Sequence, residues 1–265
     1  LGSRTNWFNC SIHTSWKNWQ CAIKVKTNAR IYRLMKAILL AAGLGTRLRP
    51  ITNKVPKCLL PVNGKPLLYL WLEKLEKINV SDVLINTHYL SEDVNQSISK
   101  FNTNMNIHIV YEEKLLGTAG TLINNIDFCD EDTMLIHADN YMEEDLKQFC
   151  DTHKRKHLQC LMTMLTFKSN NPKNCGILKV DNNNIMIDFI EKPKEFIGNH
   201  ANAAVYILSQ EMAQAIQKDF YDAVDFSLDI LPFFKKRIMT YMTNKIFVDI
   251  GTPKEYSRVN KLGEY

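Results

Sequence analysis

From residue 35 to residue 167 the chain alternates short apolar runs with amphipathic or polar helical stretches. That alternation limits the fold more than any other feature of the sequence. The runs at 35–40, 83–86, 107–111, 133–137 and 158–167 have the length of buried strands. Between the first two, Leu68, Trp71, Leu72, Leu75 and Ile78 recur at helical spacing, with Glu73, Lys74, Glu76 and Lys77 on the opposite face. Residues 90–101 and 142–157 read as further helices, and a second glycine loop at 115–121 opens another. Strands alternating with helices build a doubly wound, mostly parallel sheet with right-handed crossovers, so the expected class is α/β. Ligands of such sheets bind beyond the carboxyl ends of the strands.

The first of those ends is the most informative stretch. After the strand come Ala41, Ala42, Gly43 and Gly45, then the cations Arg47, Arg49 and Lys57. Small residues let backbone N–H groups close on an anion, and glycine allows the conformations that aim several of them at one point. Arg47 and Lys57 then offset the charge collected there. Two familiar cradles are excluded. A dinucleotide fingerprint would need glycine where Leu48 stands, and the Gly-Lys-Ser/Thr of a P-loop is missing. Pro50 argues against one long helix through the loop. The stretch reads as a polyphosphate cradle, although a glycine-containing βα turn is often purely structural.

The second half changes character. Residues 176–180 and 185–191 read as a hairpin across the turn Asp181-Asn182-Asn183-Asn184, and 202–208 as a strand. Helices are expected around Met212 and over 226–234. The runs 238–242 and 245–249 suggest a hairpin across Thr243-Asn244, and Pro253 opens a last helix. Residues 35–265 thus form one domain with two lobes. Asp139 and Asp249 each close an apolar run, a position where aspartate caps turns as readily as it holds cations.

Composition narrows the function. No apolar run approaches the ~20 residues of a membrane helix, so no membrane partner is expected. Seven cysteines, none spaced Cys-x-x-Cys, argue against a disulfide framework and a zinc site and fit a reducing cytoplasmic compartment. The formal charge of +5 comes from residues 1–36, which hold Arg4, Lys17, Lys24, Lys26, Arg30, Arg33 and Lys36 and no acid. The remainder has more acids than bases, which speaks against nucleic acid as a partner. Met35-Lys36-Ala37 reads as a natural start. Residues 1–34 are therefore expected to be an extension outside the core, with a targeting peptide or a docking arm as alternatives. His153 and His157 have the spacing of a metal pair, but Lys154, Arg155 and Lys156 between them make a solvated basic face the plainer reading. Cys58 reads as a small packed residue, and His137 as a strand residue with its hydrogen bond satisfied.

Residues 40–47, with Pro50, Thr52, Pro56-Lys57, Pro61-Val62 and Lys65-Pro66, resemble the signature of the sugar-1-phosphate nucleotidyltransferases, and the similarity extends to about Asn260. The resemblance implies a Rossmann-like nucleotidyltransferase fold with a smaller sugar-binding lobe. It implies substrates, an NTP and a sugar 1-phosphate, and a Mg²⁺ ion held by Asp139 and Asp249. By the same resemblance Leu40, Ala41, Ala42, Gly43, Gly45, Thr46, Arg47, Lys57, Gly117 and Thr118 bind the nucleotide. Gly176, Glu191, Lys192 and Asn202 bind the sugar phosphate, and Arg47, Lys57 and Asp139 carry the catalysis. Ala138 and Ala204 stand where relatives usually have glycine. The loop Leu116-Gly117-Thr118-Ala119-Gly120 is most similar to that of mannose-1-phosphate and manno-heptose-1-phosphate guanylyltransferases. Thymidylyl or uridylyl transfer to glucose 1-phosphate is the alternative. A non-catalytic regulatory subunit of the same fold ranks below both, because the cationic loop and both aspartates are present. A homo-oligomer is compatible with every one of these readings.

Overall fold

The computed structural model describes residues 35–262. The extension expected over 1–34 lies outside the described residues. Strand β1 (Met35–Leu40) runs through the middle of a nine-stranded sheet ordered β10 (Met186–Glu191), β9 (Gly176–Val180), β11 (His200–Leu208), β6 (Thr133–His137), β1, β4 (Val80–Thr87) and β5 (Asn106–Tyr111), with β8 (Met162–Lys168) joined to β11 and β12 (Ile238–Met242) to β8, while β2 (Pro61–Val62) and β3 (Lys65–Pro66) pair with each other. β1 pairs in parallel with β4 (Val80–Thr87) and with β6 (Thr133–His137), and β4 pairs in parallel with β5 (Asn106–Tyr111). A strand covered on both faces has no polar side to present, which is why Ala37, Ile38 and Leu39 are all fully buried. Successive side chains face opposite ways: Ala37 and Leu39 enter one hydrophobic cluster, Ile38 the other.

Helix α1 (Leu67–Lys77) closes one face with Leu68, Trp71, Leu72 and Leu75. Full burial of such a side chain stabilises by roughly 1.5–3 kcal/mol, so this stripe anchors the helix more firmly than any single hydrogen bond. Helices α2 (Ser91–Ile98) and α3 (Gly117–Asn124) follow β4 and β5. On the other side of β6 the sheet turns antiparallel through β11 (His200–Leu208), β8 (Met162–Lys168), β9 (Gly176–Val180) and β10 (Met186–Glu191). The result is the mixed, mostly parallel sheet that the alternation of elements predicts. Helices α4 (Leu146–Lys154) and α5 (Gln210–Asp219) are capped by Asp145 and Ser209, whose side chains accept from Lys147 N–H and Met212 N–H.

Three expectations fail. The chain after Asp139 continues as a short strand, β7 (Asn140–Met142), before α4 begins. The stretch 226–234 is a π turn (Phe226–Ile230) followed by a 3-10 turn (Leu231–Phe234) that contains Pro232, not one α-helix. Most consequentially, β12 (Ile238–Met242) and β13 (Phe247–Asp249) form no hairpin. β12 pairs in parallel with β8, while β13 crosses to pair antiparallel with β7. A third apolar cluster, with Leu48, Val62, Leu67, Val248, Ile250 and Val259, fastens the glycine loop to β13 and to helix α6 (Pro253–Lys261).

Candidate active site

Leu40 of β1 lies in register with Asn86 of β4 and with His137 of β6. Three parallel strands therefore stop at one level, and the loops beyond them carry the polar groups. Ala41 N–H donates to Asn86 Oδ1 at 2.7 Å. Asn86 Nδ2 donates to Glu112 Oε1 at 2.9 Å, the Thr121 hydroxyl donates to the same oxygen at 2.5 Å, and Leu116 N–H donates to Glu112 Oε2 at 3.2 Å. This network and the backbone of residues 40–43 wall a cavity of about 240 Å³. A β-carbon on Gly43 would meet no atom within 4 Å. Packing of the protein gives no reason for glycine there, and the bare backbone leaves room for a ligand.

A second cavity, of about 320 Å³, opens beside the first, and the two share Thr118, His137 and Asp139. Glu191, Asn202, Asp225 and Ser227 contribute to its wall. Gly176 is required at its edge, because a β-carbon would come within 2.5 Å of Phe189 Cζ and 2.6 Å of Glu191 Oε2. Glu191 has its carboxyl pushed up by burial and by Asp225, against the pull of Lys192, whose Nζ lies 3.7 Å away. Asn202 is committed at both ends: its Nδ2 donates to Tyr206 Oη at 2.7 Å, and its Oδ1 accepts from Ala204 N–H at 2.9 Å. That turn belongs to a break in the β11 register between Asn202 and Tyr206, where Ala204 is held at φ 53°.

At the junction of the cavities, the β7–β13 pairing sets Asp249 opposite Asn140 and so brings it beside Asp139. The buried Lys57 ammonium lies between the two carboxylates, 2.5 Å from Asp139 Oδ2 and 3.9 Å from Asp249 Oδ1. Burial works to raise the Asp139 carboxyl, but the Lys57 charge, with the His137 ring and the hydrogen bond from Nζ, brings it below the ordinary carboxylate value. Asp249 goes the other way, raised by partial burial and by the neighbouring Asp139, with Lys57 and Arg47 opposing.

The Nucleotidyl transferase family profile matches residues 36–264. The chain belongs to the nucleotidyl transferase family. A Sulfolobus acidocaldarius protein with mannose-1-phosphate guanyltransferase in its name is 32% identical over 232 residues, 86% of this chain and 62% of that protein. The Saccharomyces cerevisiae mannose-1-phosphate guanyltransferase is 30% identical over 229 residues, 84% of this chain and 63% of its own length. This chain therefore spans less than two thirds of those relatives. Among solved structures, HddC from Yersinia pseudotuberculosis complexed with GMP-PN is 28% identical with a TM-score of 0.71, covering 86% of this chain and 98% of that one.

Set against this nucleotidyl transferase fold, most residues singled out from the sequence converge. Leu40, Ala41, Ala42, Gly43, Lys57, Gly117 and Thr118 line the first cavity; Arg47, Gly176, Glu191, Lys192, Asn202 and Asp249 line the second; Asp139 lines both. Gly45 and Thr46 line neither. Gly45 sits at φ 61°, where a β-carbon would come within 2.8 Å of Thr52 Cγ2, and the Thr52 hydroxyl donates to its carbonyl at 2.7 Å. Its role here is to form the turn that aims Arg47. Gly117 is likewise constrained by packing: at φ 79°, a β-carbon would strike the Val224 carbonyl. Thr118 Oγ1 accepts from Phe226 N–H at 2.8 Å, which ties the second glycine loop to the wall of the other cavity.

Other readings are corrected. Among the described residues His137 Nε2 has no hydrogen-bond partner. His153 is no part of a solvated basic face: it is buried, with Nδ1 2.8 Å from Thr163 Oγ1. Cys58 is buried as expected, and burial pushes its thiol up to about 12, which removes it as a nucleophile at neutral pH. Asn86, Glu112, Thr121, Asp225 and Ser227 had not been singled out. Glu112 could have been found, since it stands between the third expected strand and the second glycine loop, at the binding edge of the sheet.

Proposed function

We propose that this chain transfers a nucleotidyl group from an NTP to a sugar 1-phosphate, releasing pyrophosphate, with GTP and mannose 1-phosphate or a manno-heptose 1-phosphate as the substrates. The observation that carries the reading is the pair of adjoining cavities whose common wall holds Asp139, with Lys57 and Asp249 beside it. One cavity has the bare backbone and buried acceptors suited to a nucleotide. The other has the carboxylates of Glu191 and Asp225 suited to sugar hydroxyls, with Lys192 and Arg47 at hand for phosphate.

Glu112 supports guanine in particular. Guanine presents two adjacent donors, N1–H and the N2 amino group; Glu112 Oε1 is filled by Asn86 and Thr121, so Oε2, which accepts only from Leu116 N–H, is the oxygen left to accept from one of them. Uracil and thymine present carbonyl oxygens on both sides of a single N–H, and a buried carboxylate repels them. The names of the relatives point the same way.

A sugar phosphate is largely dianionic at neutral pH, its second pKa being near ~6, so its attack on the α-phosphorus needs no general base. One P–O bond forms as the bond to the departing pyrophosphate breaks. Catalysis then consists of holding two polyanions in line and spreading the developing charge. Lys57 and Lys192 hold phosphates on either side of the junction, and Arg47 stabilises charge on the transferred group and on the pyrophosphate. Asp139 and Asp249 form a hard oxygen donor pair that fits Mg²⁺, which takes one or two carboxylates with phosphate oxygens. Among the described residues no group of three or more His, Cys, Asp or Glu is placed to hold a metal, so substrate oxygens would complete its shell. When bound, the ion would neutralise phosphate charge.

The decisive experiment is a pyrophosphate-release screen of five nucleotides against a panel of sugar 1-phosphates. Release from GTP with a manno-configured sugar phosphate is expected, and Asp139→Asn should abolish it. No release from any pair would sink the reading, and retention of configuration at the α-phosphorus would sink direct in-line attack.

A further inference from the structure

Leu48 and Ile250 belong to the same small apolar cluster. Arg47 precedes the first and Gly251 follows the second, so the cluster delivers them side by side at the rim of the site. The guanidinium of Arg47 lies directly over the Gly251 backbone: a β-carbon at 251 would fall 2.9 Å from Nη2 and 3.2 Å from both Cζ and Nη1. Among the described residues no hydrogen bond or ion pair anchors that guanidinium. The Asp249 carboxylate attracts it only as a nearby charge. Its position is therefore set by the turn at Gly45 on one side and by the surface offered at Gly251 on the other.

Among the described residues nothing else demands glycine at 251. Its φ lies outside the left-handed range, and Arg47 supplies all of its closest neighbours. The Thr252 side chain, which caps α6 by accepting from Glu255 N–H at 3.3 Å, is untouched by a methyl group one residue earlier. We propose that Gly251 is a positioning residue: its missing side chain is the seat on which the Arg47 guanidinium rests while facing the cavity that takes the sugar phosphate. A methyl group there is accommodated by moving the free end of Arg47, which leaves the fold intact and withdraws the cation from the reacting phosphates. Misplacement of a catalytic group by about 1 Å can cost a factor of ~100 in rate.

This inference rests on the transferase reading, and a double-mutant cycle separates the two. Gly251→Ala, Arg47→Ala and the double variant are compared with the unmodified chain for kcat, KM and thermal midpoint. Gly251→Ala is expected to lower kcat about 10- to 100-fold, with KM for the sugar phosphate changed less than about threefold and the midpoint no lower. In the Arg47→Ala background the same substitution should change kcat less than about twofold, because there is no guanidinium left to displace. An equal fold-loss in both backgrounds, no loss when Gly251→Ala is made in the otherwise unmodified chain, or a Gly251→Ala chain that fails to fold would each overturn the inference while leaving the transferase reading standing. An unmodified chain that turns over no substrate pair overturns both.

Discussion

Lys57 offers the sharpest quantitative test of the site. Its ammonium is buried and touches Asp139 at 2.5 Å, with Asp249 at 3.9 Å. Replacement by methionine keeps the apolar stem and removes the charge, leaving two carboxylates facing each other. Breaking a buried ion pair by deleting one partner costs about 3–5 kcal/mol. The Asp139 side chain is 32% exposed and Asp249 58%, so water recovers part of that, and a loss of about 2 kcal/mol is expected. In a domain of this size that corresponds to a fall of roughly 4–8 °C in thermal midpoint.

The pH dependence fixes the cause. In the native protein the Asp139 carboxyl is held below its ordinary value, so its stabilisation is present above the unfolded carboxylate pKa of about 3.9 and is lost as pH falls through the lower folded value. Without Lys57 the shift reverses, and protonation of Asp139 relieves the variant. The difference between the two proteins should therefore be largest near neutrality and shrink below about pH 4. Urea unfolding at several pH values measures it directly. Combining Lys57→Met with Asp139→Asn should show a coupling of about 1–2 kcal/mol. A coupling below about 0.5 kcal/mol, or a difference independent of pH, would refute the argument.

Ala204→Gly should stabilise the fold. A left-handed alanine costs about 1–2 kcal/mol and the added chain freedom of glycine returns somewhat less, so a net gain of about 0.5–1 kcal/mol is expected in urea titrations. Glu112→Gln should cut kcat/KM for GTP by about 10²-fold or more while improving the relative use of UTP or dTTP, measured by pyrophosphate release in competition. Burial holds the His153 imidazole below its ordinary value, and the same holds for His137 and His200. The unfolded chain then binds more protons below about pH 6.5, so stability should fall as pH drops from 7 towards 5. Substituting His153 with glutamine should flatten that slope by up to one proton in denaturant midpoints.

The parallel half of the fold was legible because strands buried on both faces leave an uninterrupted apolar signature, as Ala37-Ile38-Leu39 does. The glycine loop was legible for its residue types, but its residues divide the work in ways that spacing does not reveal. Gly43 is bare towards a cavity, Gly45 is turned and packed under Thr52, and Arg47 faces the other cavity. Pairing was the least legible level. The sequence pattern marks 245–249 as a strand, of which 247–249 forms, but cannot name its partner, and the nearest candidate, β12, was the wrong one. Asn86 and Glu112 escaped notice because a single polar residue ending a strand looks like any turn residue until a second strand is laid beside it.

The short two-stranded sheet of β7 and β13 has a consequence for how the molecule fails. Asp249 is brought to Asp139 by three rungs between β7 and β13, whereas the scaffold around them is a nine-stranded sheet. Short peripheral elements open at lower free energy than the body that carries them. On warming, β13 should detach as a local event and take one carboxylate out of reach, so inactivation will run ahead of melting and reverse on cooling until the main sheet gives way.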